Sequence, residues 1–124
     1  MHWFSLGDVF YFDVGFDDVP EESKRRPAII MMQEGEDLFI LVSTTSIPPN
    51  DPPKYFDQFK IPILNWRRSG FLKPSWGLGF KLIHVTRQEL MGSVKKEDIL
   101  GKIHVTDFDM LLNEIEYIHR NSSR

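Results

Sequence analysis

Three consecutive cations, Lys24, Arg25 and Arg26, are the residues of this chain best placed to do chemistry, and they are followed at once by Pro27 and an apolar run at 28–32. Proline has a fixed φ and biases the residue before it toward an extended conformation. We therefore expect Arg26 to lie at the mouth of a strand, with its guanidinium free to leave the sheet. An arginine held in this way suits a two-pronged contact with a phosphate. The alternative is a solvated charge run before a strand.

Hydroxyl side chains end the next predicted strand, since Thr44 and Thr45 close the run 38–45. In an antiparallel hairpin this end lies beside the start of the strand that Arg26 opens, and Glu21 belongs to the loop above. In RNA the 2′-hydroxyl is itself the nucleophile, so a site needs only to orient it, assist proton transfer and stabilise charge on phosphorus. The set therefore suits a phosphodiester substrate. Taken alone, the threonines are more simply explained as ordinary strand residues.

A second candidate surface is the segment 66–76, in which cations alternate with aromatic residues. Single-stranded nucleic acid needs both, because cations contact its backbone and ring faces stack on its bases. The alternative is that the aromatic residues belong to the core, and we expect at least one of the three to be buried. The cations are Arg67, Arg68 and Lys73, and the aromatic residues are Trp66, Phe71 and Trp76.

The charge distribution singles out the same part of the chain. Residues 58–88 contain six cations and no Asp or Glu, whereas the rest of the chain has 9 cations and 18 acids, within a net charge of −3. A basic segment in an acidic protein can bind an anion without making the whole surface adhesive. Chance fluctuation, with ion pairing to acids elsewhere, explains the same numbers.

Length and composition predict one domain over residues 1–124, because 124 residues with 41% hydrophobic content can bury a real core. The absence of cysteine excludes disulfides and thiolate metal sites, and makes a reducing cytoplasm the default location. No apolar stretch approaches the roughly 20 residues of a membrane span, and the N-terminus does not resemble a signal peptide. We find no zinc, calcium, P-loop or dinucleotide pattern, so we expect no metal and no cofactor.

Hydrophobic patterning predicts a mainly β fold of antiparallel strands joined by short turns. We expect an edge strand where Pro62 interrupts the pattern and a bulge near Gly79. The C-terminal helix should begin with a capping box formed by Thr106 and Asp109, and one helical turn is expected at 95–100, ended by Gly101. The strands are predicted at 9–14, 26–33, 38–45, 60–64 and 78–86, and the helix at 107–119.

Several short motifs, in order, resemble those of the PemK/MazF (Kid) family of toxin endoribonucleases from type II toxin–antitoxin systems. They cover residues 7 to about 118. The motifs are Gly7-Asp8-Val9, Glu21 five residues before Arg26, Arg26-Pro27-Ala28-Ile29-Ile30, Val42-Ser43-Thr44-Thr45-Ser46, Ser69-Gly70-Phe71 with Pro74-Ser75, and Ile99-Leu100-Gly101-Lys102-Ile103 before the helix.

The resemblance implies a small SH3-like antiparallel barrel (CcdB/PemK-like) with a C-terminal helix. It also implies a homodimer that cleaves single-stranded RNA without a metal, leaving a 2′,3′-cyclic phosphate and a 5′-hydroxyl, and a cognate antitoxin protein with which such toxins bind DNA. In the family scheme Arg26 acts on the phosphate, Thr44 and Thr45 orient or assist, and Glu21 is the loop carboxylate. The expected RNA-binding residues are Lys24, Arg25, Arg67, Arg68, Lys73, Ser75 and Trp76.

The chain departs from the family at one position. Some members carry an Arg–Asp acid–base pair on the strand after Ser75, where this sequence has Leu78 and Phe80. Two hypotheses therefore stand. One is an endoribonuclease toxin, and the other is a catalytically weak or inactive barrel that binds protein or nucleic acid.

Overall fold

The computed structural model describes residues 4–14 and 24–122. Within them the fold is mainly β, as predicted, with the C-terminal helix in the expected place. Short 3-10 helices at Tyr55–Phe59 and Lys96–Asp98 complete the secondary structure. The strands and helices are β1 (Asp8–Val14), β2 (Lys24–Glu34), β3 (Leu38–Thr45), β4 (Lys60–Pro62), β5 (Trp76–Thr86), α1 (Arg87–Ser93), β6 (Ile99–Lys102) and α2 (Val105–Ser122).

All six strands belong to one antiparallel sheet in the order β4-β5-β3-β2-β1-β6. The expected edge strand is confirmed, since β4 pairs only with β5 and ends at Pro62. The register between β3 and β5 shifts between Val42 and Thr44, opposite the part of β5 that contains Gly79. The sheet is not closed into a barrel, because no hydrogen-bonded pairing joins its edge strands, β4 and β6, in the described part of the chain.

The central strand β2 is covered on both faces, which explains its unbroken apolar sequence. Ala28 and Ile30 pack into one core with Leu90 of α1. The alternate residues Ile29 and Met31 pack into a second core on the opposite face. The expected apolar face of α2 closes that second core, with Leu111 and Ile115 fully buried and Phe108, Leu112 and Ile118 partly buried.

The predicted capping box at Thr106 and Asp109 is wrong. Helix α2 begins at Val105, one residue before Thr106, and the imidazole Nδ1 of His104 accepts the Thr106 N–H at 3.2 Å. The first-turn carboxylate, Asp107, turns away from the helix and accepts hydrogen bonds from the loop that follows β4.

The predicted helical turn at 95–100 is only partly correct. Residues Lys96–Asp98 do form a 3-10 turn, but Ile99–Lys102 form β6, so Gly101 lies inside a strand and ends no helix. Helix α1 was not predicted, although Thr86 and Glu89 form a complete capping box at its start. No helix among the described residues has the length and apolar character needed to cross a membrane.

Candidate functional site

The candidate site lies where β2 and β3 separate. Because Pro27 has no N–H, it cannot donate a ladder hydrogen bond, and the β2–β3 pairing ends at Ala28 opposite Ser43. The carbonyl of Pro27 is instead satisfied by the Thr44 hydroxyl, which donates to it at 2.9 Å. The proline thus ends the pairing between the two strands, and a threonine side chain holds their separated ends at a fixed distance.

A cavity of about 350 Å³ opens at this separation. It brings together six of the residues predicted from the sequence, three from the proposed catalytic set and three from the proposed RNA-binding set. Its wall is completed by residues of β1, β2, β6 and two loops. The predicted residues are Arg25, Arg26, Thr44, Thr45, Lys73 and Ser75, and the others are Tyr11, Pro27, Ser46, Ile47, Phe71, Leu72 and Leu100.

Two adjacent arginines contribute to this cavity in different ways. Arg26 is half-buried, whereas Arg25 is more exposed and forms an ion pair with Asp98 at 2.9 Å. Arg25 also donates to the Tyr11 carbonyl at 3.3 Å. Adjacent strand residues normally point to opposite faces, but the long side chain of Arg25 reaches the rim of the same cavity.

The ion pair is reflected in the acidity of Asp98. The backbone N–H of Lys95, and after it the charge of Arg25, hold the pKa of Asp98 below its usual value. The Arg25 guanidinium therefore already has an anionic partner, Asp98, which is not one of the residues that line the cavity. The described part of the cavity wall itself contains no carboxylate.

Three hydroxyl groups of the cavity form hydrogen bonds that hold its walls. Thr44 donates to Pro27, and the Thr45 hydroxyl accepts the Ile47 N–H at 3.1 Å. The Ser75 hydroxyl donates to the Lys73 carbonyl at 2.9 Å. Each hydroxyl thus fixes a backbone segment, and Thr44, only 1% exposed, is better placed to position its neighbours than to attack a substrate.

Groups that could transfer a proton are scarce at this site. Among the lining residues that the structure describes, the Tyr11 phenol and the Lys73 ammonium are the usual proton-transfer groups, since no carboxylate or imidazole lines the wall. The expected loop carboxylate, Glu21, lies outside the described residues, as does the side chain of Lys24. In the same described part of the chain, no three His, Asp or Glu side chains are grouped so that they could hold a metal ion.

Three of the expected RNA-binding residues lie outside the cavity wall. Arg67 and Arg68 are exposed in the turn at 64–70, and the Arg67 guanidinium stacks 4.8 Å from the Trp66 ring centroid. Trp76 is half-buried at the start of β5, opposite Thr45. The expectation that at least one aromatic residue of this segment is buried is confirmed by Phe71.

The basic turn at 64–70 is held rigidly against the rest of the molecule. Asp107, itself fully buried, accepts hydrogen bonds from the backbone N–H groups of Leu64 and Asn65 at 3.2 and 2.7 Å. Ser69 accepts the His104 N–H at 2.9 Å. The turn therefore presents its arginines from a fixed backbone beside the Phe71–Lys73 wall of the cavity.

The loop that follows β3 is fixed by one carboxylate that the sequence reading did not identify. Asp57 accepts the N–H groups of Asn50 and Lys54 and the Asn50 side-chain amide at 2.7–3.0 Å, and pairs with Lys60 at 3.2 Å. The Asn50 side chain, followed by the Lys54 N–H, lowers the pKa of Asp57 far below its usual value. The sequence did contain a signal for this role of Asp57. It lies three residues after Lys54, at the start of a short helix, where an aspartate side chain can accept hydrogen bonds from nearby backbone N–H groups.

The candidate functional site is assigned from the geometry of the cavity, because comparison with known proteins assigns no function to the chain. No family model and no curated protein matches the chain.

Proposed function

We propose that the protein is a metal-independent endoribonuclease that cleaves single-stranded RNA at this cavity. The observation that carries the proposal is the convergence of Arg26, Thr44 and Thr45, chosen from the sequence, on one cavity that also contains Arg25 and Lys73. The described part of the cavity wall contains three cations and no carboxylate, which suits a polyanion, although one of the cations, Arg25, also pairs with Asp98 outside the wall. A phosphodiester with its neighbouring phosphates is the polyanion that the sequence resemblance indicates.

In the proposed reaction the 2′-hydroxyl attacks the adjacent phosphorus, the new 2′-O–P bond forms, and the P–O5′ bond breaks. The 2′-hydroxyl loses its proton to a base, and the leaving O5′ takes a proton from solvent water. Arg26 stabilises the negative charge that develops on the non-bridging oxygens, which is the role of a preorganised donor. Thr44 and Thr45 hold the wall that orients the phosphate. Glu21 is the proposed proton acceptor, and Arg25 and Lys73 contact flanking phosphates.

The proposed architecture is an SH3-like barrel completed by a loop. The strongest support is the turn at 64–70, which follows edge strand β4 and lies against edge strand β6: a Cβ added to Gly70 would be 2.3 Å from the Leu100 carbonyl oxygen.

A barrel of this kind has uncovered strand edges. We propose that a homodimer covers them and that a cognate antitoxin neutralises the enzyme, as the resemblance implies; light scattering at tens of micromolar should give the dimer mass.

A second candidate is a weak or inactive barrel that binds nucleic acid or protein. It is favoured by the described cavity wall, which contains no carboxylate or imidazole, and by the hydroxyls of Thr44, Thr45 and Ser75, which are engaged with backbone. The buried Leu78 and the ring-packed Phe80 on β5 supply no acid or base either.

Incubation of purified protein with mixed-sequence single-stranded RNA in EDTA separates the two candidates. The endoribonuclease gives discrete fragments, whereas the binding protein leaves the RNA intact but shifted on a native gel. Intact, unbound RNA contradicts both.

A further inference from the structure

An exposed aromatic cluster lies on the loop after β3, outside the cavity. Tyr55 and Phe56 are 68% and 56% exposed, although large rings are usually sheltered. They pack on Phe59 and Phe80, which are half-buried: the ring centroids of Tyr55 and Phe59 are 5.6 Å apart, and those of Phe56 and Phe80 are 5.0 Å apart. Two inner rings thus support two outer rings that solvent reaches.

The cluster is preorganised by the polar contacts of its own loop. Asp57, between Phe56 and Phe59 in the 3-10 helix, is 7% exposed, and its carboxylate accepts hydrogen bonds from the backbone N–H groups of Asn50 and Lys54. A ligand that stacks on Tyr55 or Phe56 therefore does not have to order the loop first, which removes a cost that binding otherwise includes.

The same contacts connect the cluster to the cavity. The ammonium of Lys60 pairs with Asp57 and donates to the carbonyls of Ile47 and Pro48 at 3.1 and 3.3 Å. Ile47 lines the cavity. One lysine therefore ties the helix that carries the outer rings to the residue that forms a wall of the proposed phosphate site.

Local charge favours a nucleic acid as the occupant over an acidic or purely apolar one. Lys54 precedes the outer rings in the sequence, and Lys81 follows Phe80. The carboxylate inside the cluster, Asp57, is already neutralised by Lys60. Rings flanked by cations are the combination that binds single-stranded nucleic acid through bases and backbone together.

We propose that Tyr55 and Phe56 form a stacking platform for a base that flanks the nucleotide bound at the cavity. This inference rests on the proposed function and names a subsite for its substrate. It also assigns the stacking role to a surface that differs from the 66–76 segment, where the Arg67 guanidinium already stacks on Trp66 and Phe71 is in the core.

The test compares the Tyr55→Ala/Phe56→Ala double variant with Tyr117→Ala, which removes an equally exposed ring from α2. The probes are a fluorescent single-stranded oligonucleotide with 2′-deoxy sugars, which blocks the proposed cleavage, and the same strand with abasic sites throughout. Loss of the stacked base should weaken binding of the first strand about 5- to 150-fold. Binding of the abasic strand, and all binding by Tyr117→Ala, should be unchanged.

The outcomes distinguish the platform from the function on which it rests. If the double variant binds both strands like wild type while Arg26→Ala weakens both, the platform is wrong and the phosphate site stands. If wild type binds neither strand, the proposed function and the platform fail together. If the double variant lowers the mass found by light scattering but keeps its affinity, the rings form an interface between copies, which overturns the inference. Unchanged melting of the double variant shows that its loop remains folded.

Discussion

Arg26 is the residue for which the sequence and the structure make the sharpest functional claim. It precedes Pro27, it is half-buried, and it lines the cavity opened by the end of β2–β3 pairing. In the proposed reaction its charge acts on the phosphorane oxygens. A preorganised donor of this kind contributes about 10²- to 10³-fold in rate. Arg26→Ala should therefore lose at least roughly this factor in RNA cleavage, measured under single-turnover conditions, and should melt within a few degrees of wild type.

Arg25→Ala is the matched control, because it removes the same charge one residue away. Arg25 is paired with Asp98 and its side chain is 44% exposed, so we expect a much smaller loss of cleavage. Equal losses in the two variants would mean that the cavity acts only as an electrostatic patch. Full activity of Arg26→Ala would show that the catalytic assignment is wrong.

At the scale of elements, the sequence predicts the bounds of strands and helices well wherever the local pattern and the tertiary environment agree. The bounds of β3, Leu38–Thr45, match the prediction, because its apolar run is bounded by a hairpin turn to β2 on one side and by the proline-rich loop on the other. The start of α2 was misplaced because Thr106 and Asp109 fit a local rule, whereas the structure uses the His104 imidazole and frees Asp107 for a loop 42 residues away.

The same holds for the site: residues placed by local pattern could be predicted from the sequence, whereas residues placed by contacts distant in sequence could not. Arg26 and the threonines were predictable, since a hairpin brings their strand ends together. The walls formed by Ile47, Leu72 and Leu100 depend on loops and on β6, whose position no local pattern reveals. In particular, Gly101 was interpreted as a helix terminator, but its role is a close approach of β6 to the Ser69 carbonyl.

Gly70 tests whether the contact between the 64–70 turn and β6 stabilises the fold. Its φ is +95°, and a Cβ at this position would lie 2.3 Å from the Leu100 carbonyl oxygen. Gly70→Ala should lower the free energy of unfolding by at least about 2 kcal/mol, measured by urea denaturation. Gly92→Ala is the control: no atom lies within 4 Å of its added Cβ, and a helical alanine should add up to about 1 kcal/mol. Equal stabilities would contradict the close contact.

The hydrogen bonds to Asp57 predict that the stability of the fold depends on pH. Its pKa is lowered in the folded state by the Asn50 side chain and then by the Lys54 N–H, so the ionised carboxylate stabilises the fold above the unfolded-state pKa of about 3.9, and this contribution is lost as pH falls toward the lower folded-state value. Asp57→Asn should lower Tm on the order of 5 °C at pH 7. The Tm difference from wild type should shrink between pH 4 and pH 3, and a difference independent of pH would contradict the assignment.

The whole molecule combines an acidic net charge with one basic segment, so its affinity for RNA should depend on salt. If the 58–88 segment and the cavity supply roughly four phosphate contacts, the logarithm of the binding constant should fall against the logarithm of salt concentration with a slope of about −3. Fluorescence anisotropy with an uncleavable single strand measures this slope. A flat response would mean that this segment does not contact the phosphates.

The most direct test of the central claim is the chemistry of the cut ends. One RNA strand and its fully 2′-deoxy counterpart are incubated with the protein in EDTA, and the products are identified by mass spectrometry. We predict fragments with 2′,3′-cyclic phosphate and 5′-hydroxyl ends from the RNA and no cleavage of the 2′-deoxy strand, because the substrate's own hydroxyl is the proposed nucleophile. Products with 5′-phosphate ends, cleavage of the 2′-deoxy strand, or intact RNA would contradict the account.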